Sequence, residues 1–331
     1  MKPYQSLSER GQARRLRPLA LKALEHYDLD IARLRLVTNN LNGIFRLDTR
    51  AGEKWILRVS LPETGHNRQH ITAEMDWLAA LARDTALGAP RPLPARDGSL
   101  VVEAAVPGVP EPRLCAIFSW VPGTNLAEHI SLQNMEKLGE LMARLHTQAL
   151  TYRPAPELDL LRFDRVFPFP EPFILFDARF ATLFSPGQRA IYQQALHWAQ
   201  TAIDQLKAGG EPMRILHGDL HQWNVRYSRG VLSPIDFEDL MWGWPVQDIA
   251  TSLYYFIDRE DYPALRAAFQ AGYSRHSPWP ERQPGEISAF IAARGLGMVN
   301  FVFNSSNPSL HNQAAEFVNR IEKRLHKLLG E

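Results

Sequence analysis

The sequence that decides the fold runs from Ile215 to Asp239 and reads ILHGDLHQWNVRYSRGVLSPIDFED. It places Asp219 five residues before Asn224, and Asp236 at the end of a later apolar segment. The residues between Asn224 and Asp236 have the composition of two strands joined by a turn at Ser228-Arg229-Gly230. We expect this hairpin to bring Asp236 back beside Asn224. Because carboxylate and amide oxygens are the ligands that Mg²⁺ prefers, the stretch predicts a magnesium site at these two residues.

The spacing of Asp219 and Asn224 is that of the protein-kinase catalytic loop. In that loop the Asp accepts the proton of the attacking hydroxyl and the Asn binds a metal ion. Taken with IDFED and with the QDIA of residues 247–250, the motif HGDLHQWN resembles the aminoglycoside phosphotransferase and choline kinase family. This family is similar to type II homoserine kinases and bacterial stress-response kinases. The resemblance covers most of the chain beyond its N-terminal segment.

The resemblance implies an α+β, bilobal fold like that of protein kinases. The small N-terminal lobe would hold an antiparallel sheet and one helix, and the large C-terminal lobe would be mainly helical. ATP and Mg²⁺ are the implied cofactors. Asp219 would be the catalytic base, Asn224 and Asp236 the metal ligands, and Asp248 a structural residue that braces the catalytic loop. We expect His217 to be a buried histidine that also supports this loop.

Three other interpretations stay open. His217, Asp219 and His221 lie at alternate positions and could bind a metal ion in a metal-dependent hydrolase. A protein Ser/Thr kinase of the same fold is the second, although no Ala-Pro-Glu segment of the kind that ends a kinase activation loop follows Asp236. A non-catalytic nucleotide-binding module is the third. We favour a small-molecule kinase because it also accounts for Asn224, Asp236 and the later helices.

Composition argues against several classes of protein. The chain has 331 residues, 45% of them hydrophobic, which is enough for one or two domains. Its formal net charge of +1 argues against a nucleic-acid-binding surface. Cys115 is the only cysteine, so no disulfide can form within the chain and a reducing compartment is expected. We find no signal peptide and no segment near the roughly 18 apolar residues of a membrane span. We therefore expect a cytoplasmic monomer or homodimer whose partners are ATP and a small acceptor, without nucleic acid or membrane.

Residues 1–30 form a predicted N-terminal helical extension, and residues 31–121 form a predicted nucleotide-binding N-lobe. We expect Pro18 to interrupt the helix of the extension. Alternation of apolar and polar residues predicts strands over 34–38, 44–50 and 54–59. Asn42 and Gly43 lie in the first predicted turn, where kinases have a Gly-rich loop over the phosphates. With a single glycine, this turn predicts a reduced form of that loop.

Two charged residues of the N-lobe are candidates to bind the nucleotide. Arg58, in WILR, takes the place of the Lys on the third strand of kinases and can bind two phosphate oxygens at once. Glu74, on an amphipathic helix predicted over 68–82, would pair with Arg58 as the corresponding Glu of kinases does. The apolar run of residues 113–121 predicts a buried strand that leads into a hinge. We expect its backbone to hydrogen-bond the adenine at Phe118, Ser119 and Trp120.

Residues 122–331 form the predicted C-lobe, which would carry the catalytic residues and bind the acceptor. Apolar periodicity predicts helices over 134–149, 185–206, 246–256, 262–273, 285–303 and 313–329, and residues 152–176 are expected to be irregular. The candidates to contact the acceptor are Trp223, Glu238, Asp239, Trp242, Trp244, Tyr254 and Arg294. Because aromatic rings and carboxylates both favour cations, we expect an acceptor that carries an amine, such as an amino alcohol, homoserine, choline or an aminoglycoside.

Overall fold

The computed structural model describes residues 2–39, 42–61, 67–158, 160–305 and 308–330. The chain forms two compact units. The first comprises Met1–Gly123, Tyr152–Leu160 and Ser233–Glu238, and the second comprises Thr124–Thr151, Leu161–Leu232 and Asp239–Glu331. An antiparallel sheet dominates the first unit and helices dominate the second, which confirms the predicted α+β fold class.

The first unit is built around its sheet. Its elements are, in chain order, α1 (Glu9–Leu24), β1 (Ile31–Asn39), β2 (Asn42–Thr49), β3 (Lys54–Ser60), α2 (Arg68–Asp84), β4 (Pro92–Leu93), β5 (Val102–Ala104) and β6 (Arg113–Ser119). In the described part of the chain these strands pair in the order β1-β2-β3-β6-β4, and β5 also pairs with β6. All of these pairings are antiparallel. Arg58 on the inner strand β3 lies opposite Ile44 of β2 and Ala116 of β6.

Helix α1 is continuous although it contains a proline. The Ser8 side chain caps its N-terminus by accepting a hydrogen bond from the Gly11 N–H. Pro18 has no N–H, so the Arg14 carbonyl loses its helical partner. Both residues lie on the exposed face, where water can satisfy that carbonyl, and the predicted interruption at Pro18 was therefore wrong. The opposite face buries Leu16, Leu19, Ala20 and Ala23 in the core of the unit.

Helix α2 carries Glu74. The Asn67 side chain caps the N-terminus of the helix. Its apolar residues recur at helical spacing and are buried, as the sequence predicted: Ile71, Met75, Leu78 and Leu81. Trp77 packs edge-on against Phe237, with ring centroids 5.5 Å apart. This contact joins α2 to the segment that carries Asp236.

The second unit contains short strands and long helices. Its elements are β7 (Thr124–Asn125), α3 (Leu132–Thr151), α4 (Pro186–Ala208), β8 (Arg214–Leu216), β9 (Val225–Ser228), β10 (Val231–Pro234), β11 (Met241–Gly243), α5 (Pro245–Tyr254), α6 (Tyr262–Tyr273), α7 (Glu286–Asn304), α8 (Pro308–Asn312) and α9 (Ala314–Leu329). Strand β10 passes into the first unit at Ser233. The predicted hairpin is present as β9 and β10, and β8 pairs antiparallel with β11. The ends of the predicted long helices differ from the observed ends by at most two residues.

Helices of the second unit pack closely at two glycines. A Cβ on Gly139 of α3 would lie 1.9 Å from the Phe269 carbonyl oxygen of α6. A Cβ on Gly272 of α6 would lie 1.8 Å from the Glu136 carbonyl oxygen. Helix α7 packs against α4, α5 and α9. By length and composition alone, α7 could cross a membrane. However, 72% of its most apolar 18-residue stretch is buried inside the protein, as in the core helix of a globular protein.

Candidate active site

In the first unit, Arg58 and Glu74 form a buried ion pair. Arg58 NH1 donates to Glu74 Oε1 over 2.9 Å, and Arg58 NH2 donates to Glu74 Oε2. Burial alone would lower the pKa of Arg58, but the Glu74 carboxylate outweighs that effect and raises it above its ordinary value. The predicted pairing of Glu74 with Arg58 is confirmed. Because the pair uses both terminal nitrogens, it fixes the guanidinium plane.

Glu238 connects three elements of the first unit. Its Oε2 accepts a hydrogen bond from Asn42 Nδ2 over 2.5 Å and lies 3.8 Å from Arg58 NH1. Its backbone oxygen lies 2.6 Å from Nε2 of His70, which must be the protonated nitrogen because a carbonyl only accepts. Glu238 was predicted to contact the acceptor, but these bonds hold it on β2, β3 and α2.

Asn42 and Gly43 are the first two residues of strand β2 and not part of a turn, which corrects the sequence-based placement. Residues 40–41 of the predicted turn lie outside the described part of the chain. A Cβ on Gly43 would lie 3.0 Å from Leu16 Cδ1, so close packing of α1 accounts for this glycine. Close packing is thus a structural reason for the glycine at position 43, and the Asn42 side chain hydrogen-bonds Glu238. Their contact with the nucleotide stays a prediction.

Two backbone N–H groups at the end of β6 already donate hydrogen bonds within the protein. The Ser119 N–H donates to the Arg91 carbonyl over 2.8 Å, and the Trp120 N–H donates to the Lys54 carbonyl over 3.0 Å. These two N–H groups are therefore already engaged within the protein. The predicted adenine contact at Ser119 stays a prediction and falls on its carbonyl.

In the second unit, the loop that follows β8 is braced by Asp248 of α5. Asp248 Oδ2 accepts from the His217 N–H and Oδ1 accepts from the Gly218 N–H, each over 3.1 Å. His146 Nε2 lies 3.1 Å from Asp248 Oδ2 in the core. Gly218 has φ of +81°, and a Cβ there would lie 2.1 Å from the Asp239 carbonyl oxygen. The loop conformation therefore depends on a glycine and on a buried carboxylate.

Asp219 projects from this loop among three donors. Arg294 NH2 of α7 donates to Oδ1 over 2.5 Å. Asn224 Nδ2 donates to Oδ2 over 3.2 Å, and His221 Nε2 lies 3.3 Å from the same oxygen. His221 Nδ1 accepts from the Trp223 N–H, so the His221 proton is on the nitrogen that faces Asp219. The loop thus presents one carboxylate surrounded by hydrogen-bond donors.

The surroundings of Asp219 favour its ionised form. Burial alone would raise the pKa of Asp219, but the Arg294 guanidinium and the His221 hydrogen bond outweigh burial and hold that pKa below its ordinary value. The pKa of Arg294 is raised: burial would lower it, and the charge of Asp219 reverses that effect. Both side chains are still 19% exposed. The pair is charged and within reach of a ligand from solvent.

The model of the phosphotransferase enzyme family matches residues 34–284, more than half of the chain. The chain belongs to this family.

Three proteins to which the chain is similar are named as kinases. It is 22% identical over 261 residues to the amicoumacin kinase of Bacillus subtilis (strain 168), a match that covers 77% of this chain and 73% of that protein. It is similar to a solved microcompartment-associated aminopropanol kinase, with a TM-score of 0.77, 21% identity, and coverage of 95% of this chain and 97% of that one. It is also similar to the amicoumacin kinase hAmiN in complex with AMP-PNP, Ca²⁺ and Ami, with a TM-score of 0.75, 18% identity, and coverage of 97% and 100%.

The family confirms the predicted enzyme class and cofactors. The phosphotransferase is a small-molecule kinase that moves a phosphoryl group from ATP, with a divalent metal ion, typically Mg²⁺, to an alcohol group.

The predicted metal ligands of the phosphotransferase fit Mg²⁺ by their chemistry. Asn224 Nδ2 donates twice to Asp219, which leaves the amide oxygen without a hydrogen bond to any described residue. Asp236, in the first unit, is exposed and has φ of +66°, an uncommon backbone for a residue other than glycine. Both offer hard oxygens. Among the described residues no group of three His, Cys, Asp or Glu side chains could hold a metal ion, so the hydrolase alternative at His217 and His221 gains no support.

Aromatic residues form one wall beside Asp219. The Trp223 ring is 45% exposed and lies edge-on to Tyr255, with centroids 5.3 Å apart. The Tyr255 hydroxyl accepts from Arg294 NH2 over 3.1 Å, and its ring packs on His221 at 4.8 Å. Tyr254, and not Tyr255, was the predicted contact. The helix predicted over 246–256 contained both tyrosines, whereas α5 ends at Tyr254, so apolar periodicity did not show which of the two rings lies beside Asp219.

Other predicted acceptor contacts lie elsewhere in the second unit. Trp244 is 4% exposed and its Nε1 donates to the Glu211 carbonyl over 3.1 Å. Tyr254 is also 4% exposed, and Arg324 lies over its ring at 4.5 Å. Trp242 is half-buried on β11, where its backbone bonds to residues 161 and 163. These placements do not support an acceptor contact for Trp244 or Tyr254. Asp239 stays a candidate at the rim of the Asp219 loop.

Two buried histidines had no predicted role. His70 on α2 hydrogen-bonds the Glu238 carbonyl in the segment that carries Asp236, and His146 on α3 hydrogen-bonds Asp248, which braces the Asp219 loop. Each is a histidine within the apolar face of an amphipathic helix, at 4% and 1% exposure. A histidine at such a position needs a buried hydrogen-bond partner, and that is the signal that could have identified both.

Proposed function

We propose that this chain transfers the γ-phosphoryl group of ATP to a hydroxyl of a small, amine-bearing acceptor such as an amino alcohol, homoserine, choline or an aminoglycoside. The observation that carries the proposal is the placement of Asp219. It is ionised, partly exposed, and held by a loop that Asp248 braces through two backbone N–H groups. A carboxylate in this condition can orient a hydroxyl and accept its proton.

The other site residues have the following proposed roles. Arg58, fixed by Glu74, binds phosphate oxygens of the nucleotide. Asn224 and Asp236 supply oxygens to Mg²⁺, which neutralises charge on the phosphates when bound. The backbone at the end of β6 binds the adenine through the Ser119 carbonyl. Asp248 and His217 hold the loop that carries the base, as their buried hydrogen bonds support.

The amine on the acceptor is supported by the wall beside Asp219. The exposed Trp223 ring offers a π face to a cation. The names of two similar proteins, aminopropanol kinase and amicoumacin kinase, fit an acceptor with a nitrogen. The Glu238 carboxylate is a weaker argument for an amine on the acceptor, because it is already bonded to Asn42 and lies close to Arg58.

ADP release in the presence of ATP and Mg²⁺ tests the proposal, with amino alcohols, homoserine, choline and aminoglycosides as acceptors. We expect at least one of them to stimulate ADP release. Asp219→Asn should lower that turnover by about 10²- to 10⁴-fold, the scale of general acid–base catalysis, and leave ATP binding largely intact. Asp204→Asn, on an exposed part of α4, is the matched control and should leave turnover unchanged. Equal turnover of Asp219→Asn and the wild type would reject the assignment of the base.

The setting of the enzyme is also a proposal. We infer that it acts in the cytoplasm as a monomer or homodimer, without nucleic acid or membrane as a partner. A formal net charge of +1 and a single buried cysteine support this setting.

A further inference from the structure

Helix α5 holds the Asp219 loop on both sides of the base. On the side before Asp219, the Asp248 carboxylate accepts hydrogen bonds from the N–H groups of the two preceding residues, each over 3.1 Å. On the side after it, the hydroxyl of Ser252 donates to the Leu220 carbonyl. Ser252 and Leu220 are both fully buried. The backbone around Asp219 is therefore attached at two points to one helix.

Ser252 uses its hydroxyl differently from its neighbour in the helix. A serine or threonine inside a helix commonly donates to the carbonyl four residues earlier, and Thr251 does so with Gln247 over 3.2 Å. Ser252 instead donates to a carbonyl outside its own helix, and among the described residues no other group donates to Leu220. A buried carbonyl needs such a partner. Without the hydroxyl, the loop would have to move or leave this carbonyl unpaired.

Tyr255 extends the same face of the helix to the carboxylate of the base. It follows the last residue of α5 and keeps a helical backbone. Its hydroxyl accepts from the terminal nitrogen of Arg294 that also donates to Asp219. Positions 248, 252 and 255 follow the helical spacing i, i+4 and i+7, which places them on one face. This face thus contacts the backbone before Asp219, the backbone after it and, through Arg294, its side chain.

We propose that Ser252 is a positioning residue for the base, which it aims through the Leu220 carbonyl. The inference rests on the proposed function, in which Asp219 accepts the proton of the acceptor hydroxyl. Leu220 is the next residue in the chain, so the direction of its carbonyl limits the backbone torsions that set where the Asp219 carboxylate points. A displacement of about 1 Å at a reacting group can lower turnover by about 10²-fold. One hydroxyl can therefore matter to catalysis although it is buried in the protein core.

A purely structural role for Ser252 predicts a different result. If the hydroxyl only stabilises the contact of α5 with the loop, its loss lowers the free energy of unfolding, and the folded enzyme keeps its kcat. If the hydroxyl aims the base, the folded variant has a lower kcat and an unchanged KM for ATP. In that case the loss also depends on the presence of the Asp219 carboxylate.

The first measurement compares Ser252→Ala with the wild type in the ADP-release assay, with Mg²⁺ and the acceptor that the wild type phosphorylates fastest. We expect kcat to fall by about ten- to a hundredfold, and KM for ATP to stay within about twofold. Thr251→Val is the matched control. It removes the neighbouring buried hydroxyl, whose hydrogen bond stays within α5, and should keep the kcat of the wild type. If no acceptor is phosphorylated, phosphoryl transfer to water is compared in the same variants.

The second measurement is a double-mutant cycle with Asp219→Asn. If Ser252 acts through the Asp219 carboxylate, Ser252→Ala lowers the turnover of Asp219→Asn by less than about threefold, although it lowers that of the wild type by about tenfold or more. Losses that multiply instead show that Ser252 acts independently of the base, and they overturn the inference.

The possible results separate the inference from the proposed function. A wild-type kcat in Ser252→Ala overturns the inference alone, provided that Asp219→Asn has lost its turnover. An equal loss in Thr251→Val, or a loss confined to KM, also overturns it. Wild-type turnover of Asp219→Asn rejects the proposed base, and the inference falls with it.

A second variant covers the case in which Ser252→Ala does not fold. Ser252→Cys then takes its place, since a sulfhydryl is a weaker donor than a hydroxyl. We expect its kcat to be lowered with KM for ATP unchanged. An unchanged kcat in Ser252→Cys overturns the inference.

Discussion

Two arginine–carboxylate pairs, one in each unit, differ in how the arginine is held. In the first unit, Arg58 donates to Glu74 through both terminal nitrogens, and the side chains are 4% and 2% exposed. In the second unit, Arg294 contacts Asp219 through one nitrogen, and both side chains are 19% exposed. A guanidinium and a carboxylate therefore form a buried, bidentate pair in the first unit and a partly exposed pair with one hydrogen bond in the second.

The difference shows where each pair should contribute. A buried ion pair with two hydrogen bonds forms when the protein folds, so its loss should lower the free energy of unfolding. A pair with one hydrogen bond at the solvent boundary can exchange partners at low cost. Its loss should appear in turnover. Deleting the carboxylate of each pair in turn tests this division.

The largest expected change in stability is that of Glu74→Ala. Truncation leaves the Arg58 guanidinium in the core without its bidentate partner, and Glu238, 3.8 Å away, compensates only in part. We expect a loss of about 3–5 kcal/mol in the free energy of unfolding, as for other buried pairs that lose one member. Equilibrium denaturation in urea at neutral pH measures it.

Glu25→Ala is the matched control for Glu74→Ala. Glu25 pairs with Lys22 on the surface, with the side chains 62% and 52% exposed, so its removal should leave stability nearly unchanged. If the two variants unfold at the same urea concentration, burial of the Arg58 pair is not what gives it its effect.

A smaller change in stability is expected for Asp219→Asn. Asparagine keeps an oxygen for Arg294, and the guanidinium can reach water, so the free energy of unfolding should fall by about 1–2 kcal/mol. The same variant should lose most of its turnover, as proposed above. Asp219→Asn should thus lower turnover much more than stability, whereas a purely structural pair would affect stability more than turnover. A loss of stability as large as that of Glu74→Ala would contradict the contrast between the units.

Local patterns in the sequence were sufficient for most of the fold. Period-two alternation located β1, β2 and β3, and apolar periodicity located the long helices. One error had a tertiary cause. Pro18 stays within α1 because its position faces water. The exposure of a residue cannot be read from its neighbours in the sequence.

Contacts within the site were less predictable the farther apart their residues lie in the sequence. Asp219 and Asn224 are five residues apart and fall in one motif, and the Asn224 side chain does bond to Asp219. The pairing of Arg58 with Glu74 spans 16 residues and was predicted only through the kinase resemblance. Arg294 contacts Asp219 across 75 residues, and Glu238 contacts Asn42 across 196. Such contacts depend on how helices and strands pack, which one sequence does not specify.

The smallest expected effect concerns His70 and depends on pH. Burial lowers the pKa of His70 below the ordinary value of about 6.5, although its hydrogen bond to the Glu238 carbonyl opposes the shift. The unfolded chain therefore binds a proton at a higher pH than the folded chain does. The stability that neutral His70 contributes is complete above the ordinary histidine pKa and is lost as the pH falls through that value toward the folded pKa.

Gln at position 70 can keep a donor for the Glu238 carbonyl but does not titrate. We therefore expect His70→Gln to lose less stability than the wild type between pH 7.5 and pH 5.5, where the direction of the shift places the effect. Urea denaturation at both pH values measures the two losses, and subtracting them removes the contribution of all other titrating groups. His197→Gln, on an exposed face of α4, is the control and should lose as much as the wild type. If His70→Gln also loses as much as the wild type, burial does not govern the protonation of His70. The connection from α2 to the Asp236 segment would then be insensitive to pH.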